Sequence, residues 1–499
     1  MNLLYTLSST RLAVGVQTLS RVTFWPFLLA LALAVRLNGL SATFWYDEVF
    51  SAWLSRLPLA SLWAATLGDV HPPGYYLLLW LISRAVGHSE ALLRVPSVLA
   101  GLALIYVIHR LALSLGLSHR AAVLAAVITA FSPFQIYYSQ EARMYALLML
   151  AVTAAALGLV ERRWWLAVGA SWAALYLHNM AVLWVGAVWV AGLGFRGWGL
   201  GFRPPGPGTA PLLAIIGSLP ALWLTVQQVG NLGGGYWIPP ITSPGRVLAT
   251  LDDLIWFTPN NPFVLATGLL TALGLLFTIY DLRFTIITPA GRFLWLVTAL
   301  PLAAVVVVSL LWQPVLISRS VAAAAPFFIL LLTWAVTRSR RRLMVWGPPA
   351  AITAVLIVLG SLGGKMGRPP GDTAMLNLYG EYRPGQAMYH ANVGSYLVWK
   401  YYRPDMPHYL WPQNTGLQQT LSAQTRQAMG LNEANFEAVK CDAPAGWWLI
   451  YFHNPTTAPA EIDYIDHLQQ QYPARRVALL RDDVTTEAML VKIDPKCEE

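Results

Sequence analysis

Charge is what this chain lacks most. Of its 499 residues only 11% are Asp, Glu, Lys or Arg, about half the share of an ordinary soluble protein. That excludes a water-soluble fold for most of its length. Acids are scarcer than bases, 24 against 33. In a soluble protein such a balance would point to nucleic acid. Here the arginines sit in short loops between apolar runs, where they set membrane topology. Ionisable groups are almost missing from the runs themselves, Arg36 being the main exception. A transporter would more often carry acids or histidines near the midplane. No internal repeat is visible either, which weighs against transporter folds built from duplicated halves. Thiols are nearly absent. Cys441 and Cys497 are the only two, and a bridge between them and a pair of free cysteines are both open readings. No Asp/His spacing spells a metal site.

What is present is apolar sequence. Hydrophobic residues make up 56% of the chain, and runs of roughly 18 or more recur through the first 361 positions, the pattern of transmembrane helices. The 22 Trp fit a chain with many membrane–water interfaces. The expected fold is a polytopic α-helical membrane protein. Its first run, about 22–40, reads as a retained span rather than a signal peptide.

Arginine placement orders the crossings. Arg11 and Arg21 keep the N-terminus inside, and residues 41–92 form a long outer loop. Within it "HPPGYYLLLWLISRAVG" (71–87) is too short for a comfortable crossing and reads as a helix against the outer interface. Further spans are expected near 94–115 and 121–138, then one ending at "ERR" (161–163). A hairpin of two follows within 164–195, turning at "LHN" (177–179). The last five lie near 210–228, 262–280, 293–312, 320–337 and 344–361, with the basic cluster "RSRRRL" (338–343) inside. The total is about eleven spans, N-terminus in and C-terminus out. Residues 1–361 are thus one transmembrane domain. Residues 362–499 change character. Short β-like runs, "GWWLIYF" (446–452) and "AMLVKI" (488–493), alternate with helical patterns such as "EIDYIDHLQQQY" (461–472), which predicts a small extracytoplasmic α/β domain.

Polar residues gather on the outer side: Asp47, Glu48, Asp69, His71, Glu141, Arg143, His178, Asp252, Asp253 and Arg319. An enzyme working at the outer leaflet would collect them so. Sugar transfer from a lipid phosphate needs a carboxylate for the acceptor hydroxyl and cations for the leaving phosphate. Arginine suits the second task because its fork bonds two phosphate oxygens. "DE" (47–48), "EAR" (141–143) and "SRS" (318–320) could supply both halves, and Tyr137, Tyr138 and Tyr145, if they face lipid, could line an isoprenoid path.

Three stretches in order, "WYDEVFSAWL…LGDVHPPGYYLLLWL", "LRVPSVLAGLALIYVIHRLA" and "FSPFQIYYSQEARMYALLML", resemble the GT-C membrane glycosyltransferases. More closely they are similar to bacterial glycosyltransferase family 39, kin to protein O-mannosyltransferases and to the aminoarabinose transferase of lipid A. The resemblance covers residues 22–180 well and the later spans in outline. It implies a GT-C fold in the plasma membrane and a polyprenyl-phosphate sugar donor used on the outer face. The acceptor would be a hydroxyl of a lipid, glycan or protein. It also implies Asp47 as the catalytic carboxylate, with Glu48 beside it. Some relatives among the oligosaccharyltransferases use a divalent ion and the mannosyltransferase branch generally does not, so no cofactor is assigned. After "HPP", Gly74-Tyr75 stands where the mannosyltransferases have Leu-Gly-Lys, which leaves the acceptor class open.

Structural roles compete for the same residues. Asp47 and Glu48 could simply favour a helix N-terminus. His71 is either a cap for the "PP" helix or a substrate ligand, and Glu141 either the ion partner of Arg143 or an acceptor-binding acid. Arg143 reads as a site residue and His178 as a turn residue. Arg36 and Arg319 could snorkel to headgroups; Arg319 is also a candidate donor-phosphate ligand, with Tyr138 and Tyr145 along the donor path. The rival functional reading is a non-catalytic membrane subunit or a lipid-linked-sugar transporter on the same scaffold.

Overall fold

The computed structural model describes residues 24–197, 209–230, 238, 240–257, 264–280, 286–338, 340–344, 347, 350–351, 355, 382–412, 421–453, 459–472, 474–481 and 487–493. Helices dominate the first three quarters. In chain order they are α1 (Phe24–Leu37), α2 (Tyr46–Arg56), α3 (Leu59–Leu67), α4 (Gly74–Val86), α5 (Glu90–Ser114), α6 (His119–Phe131), α7 (Pro133–Ser139), α8 (Tyr145–Val160), α9 (Trp164–Leu177), α10 (Ala181–Gly197), α11 (Thr209–Val229), α12 (Pro244–Trp256), α13 (Val264–Tyr280), α14 (Pro289–Leu311) and, after a single 3-10 turn, α15 (Ala325–Thr337).

The apolar helices make this a multi-pass membrane protein. Glu90–Ser114, Leu212–Val229 and Pro289–Leu311 are each long and apolar enough to cross a membrane, and α6 with α7 passes the same test as a bent pair. Six more expected spans have an apolar helix in place, but those helices have 10–17 residues. At about 1.5 Å rise per residue such helices fall short of a hydrocarbon core of roughly 30 Å. A count of eleven is therefore not confirmed by length. The last expected span, 344–361, lies almost wholly outside the described residues. Helix α4, expected to be too short to cross, has 13 residues.

The expected straight span 121–138 is broken instead. Helices α6 and α7 meet at 53° where Ser132 precedes Pro133. Proline has no N–H to give, so the carbonyl four residues back loses its helical partner. Arg36 makes good the loss, donating from Nη2 to Thr129 O at 3.1 Å and from Nη1 to Ala130 O at 2.8 Å, with Nε on Ser139. Arg36 has no exposed surface, so it does not snorkel. It satisfies backbone groups that hydrocarbon could not.

The C-terminal region holds a five-stranded sheet in the order β2-β1-β3-β5-β4, with β1 Ala387–His390, β2 His408–Leu410, β3 Trp447–His453, β4 Ala474–Arg481 and β5 Glu487–Ile493. Strand β1 pairs in parallel with β2 and β3, while β5 runs antiparallel to β3 and β4. Helices α16 (Val393–Tyr402), α17 (Ala423–Met429), α18 (Phe436–Val439) and α19 (Pro459–Gln471) complete it. The strands "GWWLIYF" and "AMLVKI" and the helix over 461–472 stand where the residue pattern predicts them. Cys441 is disulfide-bonded; the chain's other cysteine, Cys497, lies outside the described residues.

This region is seated on the first loop of the membrane part. Helix α16 packs on α2, and α17 on α3. Tyr402 accepts from the Phe44 main-chain N–H at 2.7 Å and donates to Glu90 at 3.0 Å. The Arg56 guanidinium lies 3.9 Å over the Tyr401 ring. Thr425 and Gln424 donate to the last carbonyls of α3, Ala65 and Ala64. Val393, Tyr396 and Leu397 join the main membrane core rather than the core under the sheet.

Candidate active site

Helix α2 carries the acidic pair. It starts without a side-chain cap, with Asp47 and Glu48 in its first turn and Arg56 in its last. That order suits the helix dipole. Neither acid is only a dipole partner, however. Their side chains leave the helix in different directions, as adjacent positions about 100° apart must, and each meets its own arginine.

Glu48 points inward. Its Oε1 accepts from Arg94 Nε at 2.7 Å and from the Ala142 main-chain N–H at 2.7 Å, and its Oε2 accepts from Arg94 Nη2 at 2.6 Å. Arg94, near the start of α5, also donates to the carbonyls of Leu40 and Ala42 at 2.6 and 2.5 Å. Both side chains are wholly buried. One bidentate pair thus ties the loop before α2, α2 itself, α5 and the "EAR" turn into one body.

Asp47 points to the more open side. Its Oδ2 accepts from Arg319 Nη1 at 2.5 Å, with 15% and 21% of the two side chains exposed. Arg143 comes from the other direction, donating from Nη1 to the Asp47 main-chain oxygen at 3.2 Å, to Ser51 Oγ at 3.3 Å and to Tyr76 Oη at 3.5 Å. Burial alone would raise the Asp47 carboxyl, but Arg319, then Arg143 and His71, hold it below the usual carboxylate range. The carboxylate is ionised at neutral pH, bonded to one guanidinium, with a second on the main-chain oxygen of the same residue.

The remaining predicted residues line the same region. His71 does not cap α4, whose first-turn neighbour is Pro73 with no side-chain cap. Its Nδ1 lies 3.4 Å from Asp69, and Asp69 in turn accepts from Tyr76. The His71 ring packs edge-on against His178 at 5.2 Å. His178 holds its own turn, accepting from the Met180 N–H at 3.1 Å, and burial keeps its imidazole neutral by pushing its pKa well down. Tyr138 and Tyr145 do not face lipid. Both are buried, 5.0 Å apart, with Phe257 stacked on Tyr138 and His178 beside Tyr145. Glu141 is buried in the turn that supplies the Ala142 N–H to Glu48. Among the described residues no group of three or more His, Cys, Asp or Glu is placed to hold a metal ion.

Arg94, Ser51 and Tyr76 were not singled out by sequence reasoning. Arg94 had a signal: an arginine just inside a long apolar span, two residues before a proline, in a membrane where a lone cation is costly. Ser51 and Tyr76 look like ordinary helix residues and gave none.

Comparisons with known proteins bear on the fold and on one segment of the chain. Residues 70–223 match the family described as dolichyl-phosphate-mannose-protein mannosyltransferase. The structure is similar to that of ArnT from Cupriavidus metallidurans in the apo state, with 13% identity, 94% of this chain and 98% of that one covered, and a TM-score of 0.61. ArnT from the same organism bound to undecaprenyl phosphate gives 14% identity, 93% and 97% coverage and a TM-score of 0.57. The archaeal oligosaccharyltransferase AglB from Archaeoglobus fulgidus, in complex with an inhibitory peptide and a dolichol-phosphate, gives 12% identity, 92% and 73% coverage and a TM-score of 0.50. A comparison with curated protein sequences gives no match. One segment of the chain thus matches the model of this mannosyltransferase family, and the fold is similar to that of ArnT over nearly the whole length.

Proposed function

We propose that this membrane glycosyltransferase moves one sugar from a polyprenyl-phosphate carrier to a hydroxyl of a lipid, glycan or protein. The observation that carries the reading is the Asp47 carboxylate bonded by Arg319, with Arg143 on the main-chain oxygen of the same residue, on the open side of α2. Asp47 takes the proton of the acceptor hydroxyl as its oxygen bonds to the anomeric carbon. The bond from that carbon to the phosphate oxygen breaks, and the electron pair leaves on the phosphate. The charge gained there is met by Arg319 and Arg143, placed where it develops. Glu48 touches no reactant in this scheme and keeps α2 in place through Arg94. The undecaprenyl phosphate in ArnT supports a carrier of this class.

The outer-face assignment rests on the arginine pattern and on the polar site standing at one end of the bundle. Residues 1–361 would be the catalytic domain. Residues 362–499 would be an outer domain that covers α2 and α3 and helps shape the acceptor side. The test is Asp47→Asn, which keeps the size and removes the charge. Turnover in detergent or nanodiscs should fall about 10²–10⁴-fold, the range of a general base, in a variant that still unfolds cooperatively. A variant that transfers sugar at the normal rate would remove Asp47 from the chemistry, and wild-type protein that transfers no sugar would return the chain to the rival reading, a subunit or a lipid-linked-sugar transporter.

A further inference from the structure

The carboxylate assigned to the acceptor is already engaged. Asp47 Oδ2 is held by Arg319 Nη1 at 2.5 Å, so the acceptor hydroxyl and Arg319 compete for the same group. Arg319 lies between α14 and the 3-10 turn, in a stretch with no regular helix, and its guanidinium lies 5.8 Å from the Trp45 ring centroid. A side chain there can change partner without unwinding a helix. Arg94 and Glu48 offer the opposite case, fully buried and bonded on both forks. Of the two acid–arginine pairs on α2, one is fixed and the other is open to exchange.

A partly buried guanidinium leaves a carboxylate readily only when another anion replaces it, because a cation with little water around it is costly to leave unpaired. The anion the reaction brings is the phosphate of the lipid carrier, whose oxygens match the guanidinium fork as well as a carboxylate does. We propose that donor phosphate takes Arg319 from Asp47, so that binding of the lipid phosphate is what releases the carboxylate for the acceptor, and donor binds before acceptor. Arg319 is thus a lock on Asp47 in the resting protein and a phosphate ligand in the loaded one. The inference rests on the donor reading above. It adds an order of events and a coupling between two residues that the donor reading does not require.

The test is a double-mutant cycle on binding of undecaprenyl phosphate to the full chain in nanodiscs, using wild type, Asp47→Asn, Arg319→Gln and the double variant. Thermal unfolding of each variant serves as the check on folding. If Asp47 competes for Arg319, Asp47→Asn binds the lipid phosphate tighter, by about tenfold for one charge-assisted contact, although it cannot transfer sugar. That gain disappears in the Arg319→Gln background. Equal or weaker binding by Asp47→Asn overturns the exchange. So does a gain that persists without Arg319, which would mean simple repulsion between Asp47 and phosphate. Failure of all four proteins to bind undecaprenyl phosphate would remove the donor reading and the exchange with it. Should Arg319→Gln fail to fold, Arg319→Lys replaces it, with the gain expected to shrink rather than vanish.

Discussion

Glu48 and Arg94 are joined by two side-by-side bonds, Nε to Oε1 at 2.7 Å and Nη2 to Oε2 at 2.6 Å, with no surface of either side chain exposed. Breaking such a pair from one side leaves a buried charge alone, which costs about 3–5 kcal/mol. Glu48→Gln should therefore lower the thermal midpoint and the yield of folded protein, with activity lost in proportion to folded protein. Adding Arg94→Met removes the stranded cation but also the donors to Leu40 and Ala42, so it should restore stability only in part. Normal unfolding of Glu48→Gln would refute the structural role given to it.

The pH dependence of transfer should report Asp47. Its carboxyl is depressed, so its ionised form, and any stability linked to it, is present above the unfolded value of about 4 and lost as pH falls through the folded one. The acid limb of kcat/KM should thus lie below pH ~4 in the wild-type protein. Arg319 is the largest influence lowering this group, working against burial. In Arg319→Gln burial gains ground, and the acid limb should move to higher pH. An unmoved limb would separate Arg319 from the titrating group.

Gly74 opens α4 against α9. A Cβ there would fall on the carbonyl oxygen of Tyr176, with the carbonyl carbon 2.9 Å away. Backbone cannot swing aside as a side chain does, so Gly74→Ala should destabilise by about 1–3 kcal/mol and shift Tyr75 and Tyr76. Gly169 in α9 has open space around its missing Cβ, and Gly169→Ala should leave the thermal midpoint unchanged or slightly raised. Equal effects of the two substitutions would show that α4 and α9 are less tightly joined than drawn.

Orientation is tested by labelling. Arg340 and Gln427 both have exposed side chains. A single cysteine at 340 should resist a membrane-impermeant maleimide in intact cells, and one at 427 should react. Reaction at 340 from outside would invert the orientation inferred from the arginine loops.

Much of this site was legible in the sequence because acids beside a membrane are rare enough to stand out. The pairs "DE" and "EAR" and the lone Arg319 needed only the knowledge that apolar sequence surrounds them. What could not be read was which arginine faces which acid. Arg319 is 272 positions from Asp47, and Arg94 is 46 from Glu48; no local periodicity encodes either meeting. The bend inside the expected span 121–138 was hidden for a related reason. Hydropathy sees 121–138 as one apolar run, whereas Pro133 and the donors of Arg36 allow two helices with a sharp bend. Tyr138 and Tyr145, read as facing lipid, are buried instead.

The contact between Tyr402 and the Phe44 N–H joins residues 358 positions apart. A ribosome adding about 5–20 residues per second reaches Tyr402 roughly twenty to seventy seconds after Phe44. Throughout that interval the segment leading into α2 exists without the hydroxyl that receives its N–H, and α3 without the helix that covers its last turn. The nascent protein therefore passes through a stage in which its acidic pair is present but its surroundings are unfinished. A chain truncated before α16 would carry every residue assigned to the chemistry yet lack the contacts of α16 and α17 with α2 and α3.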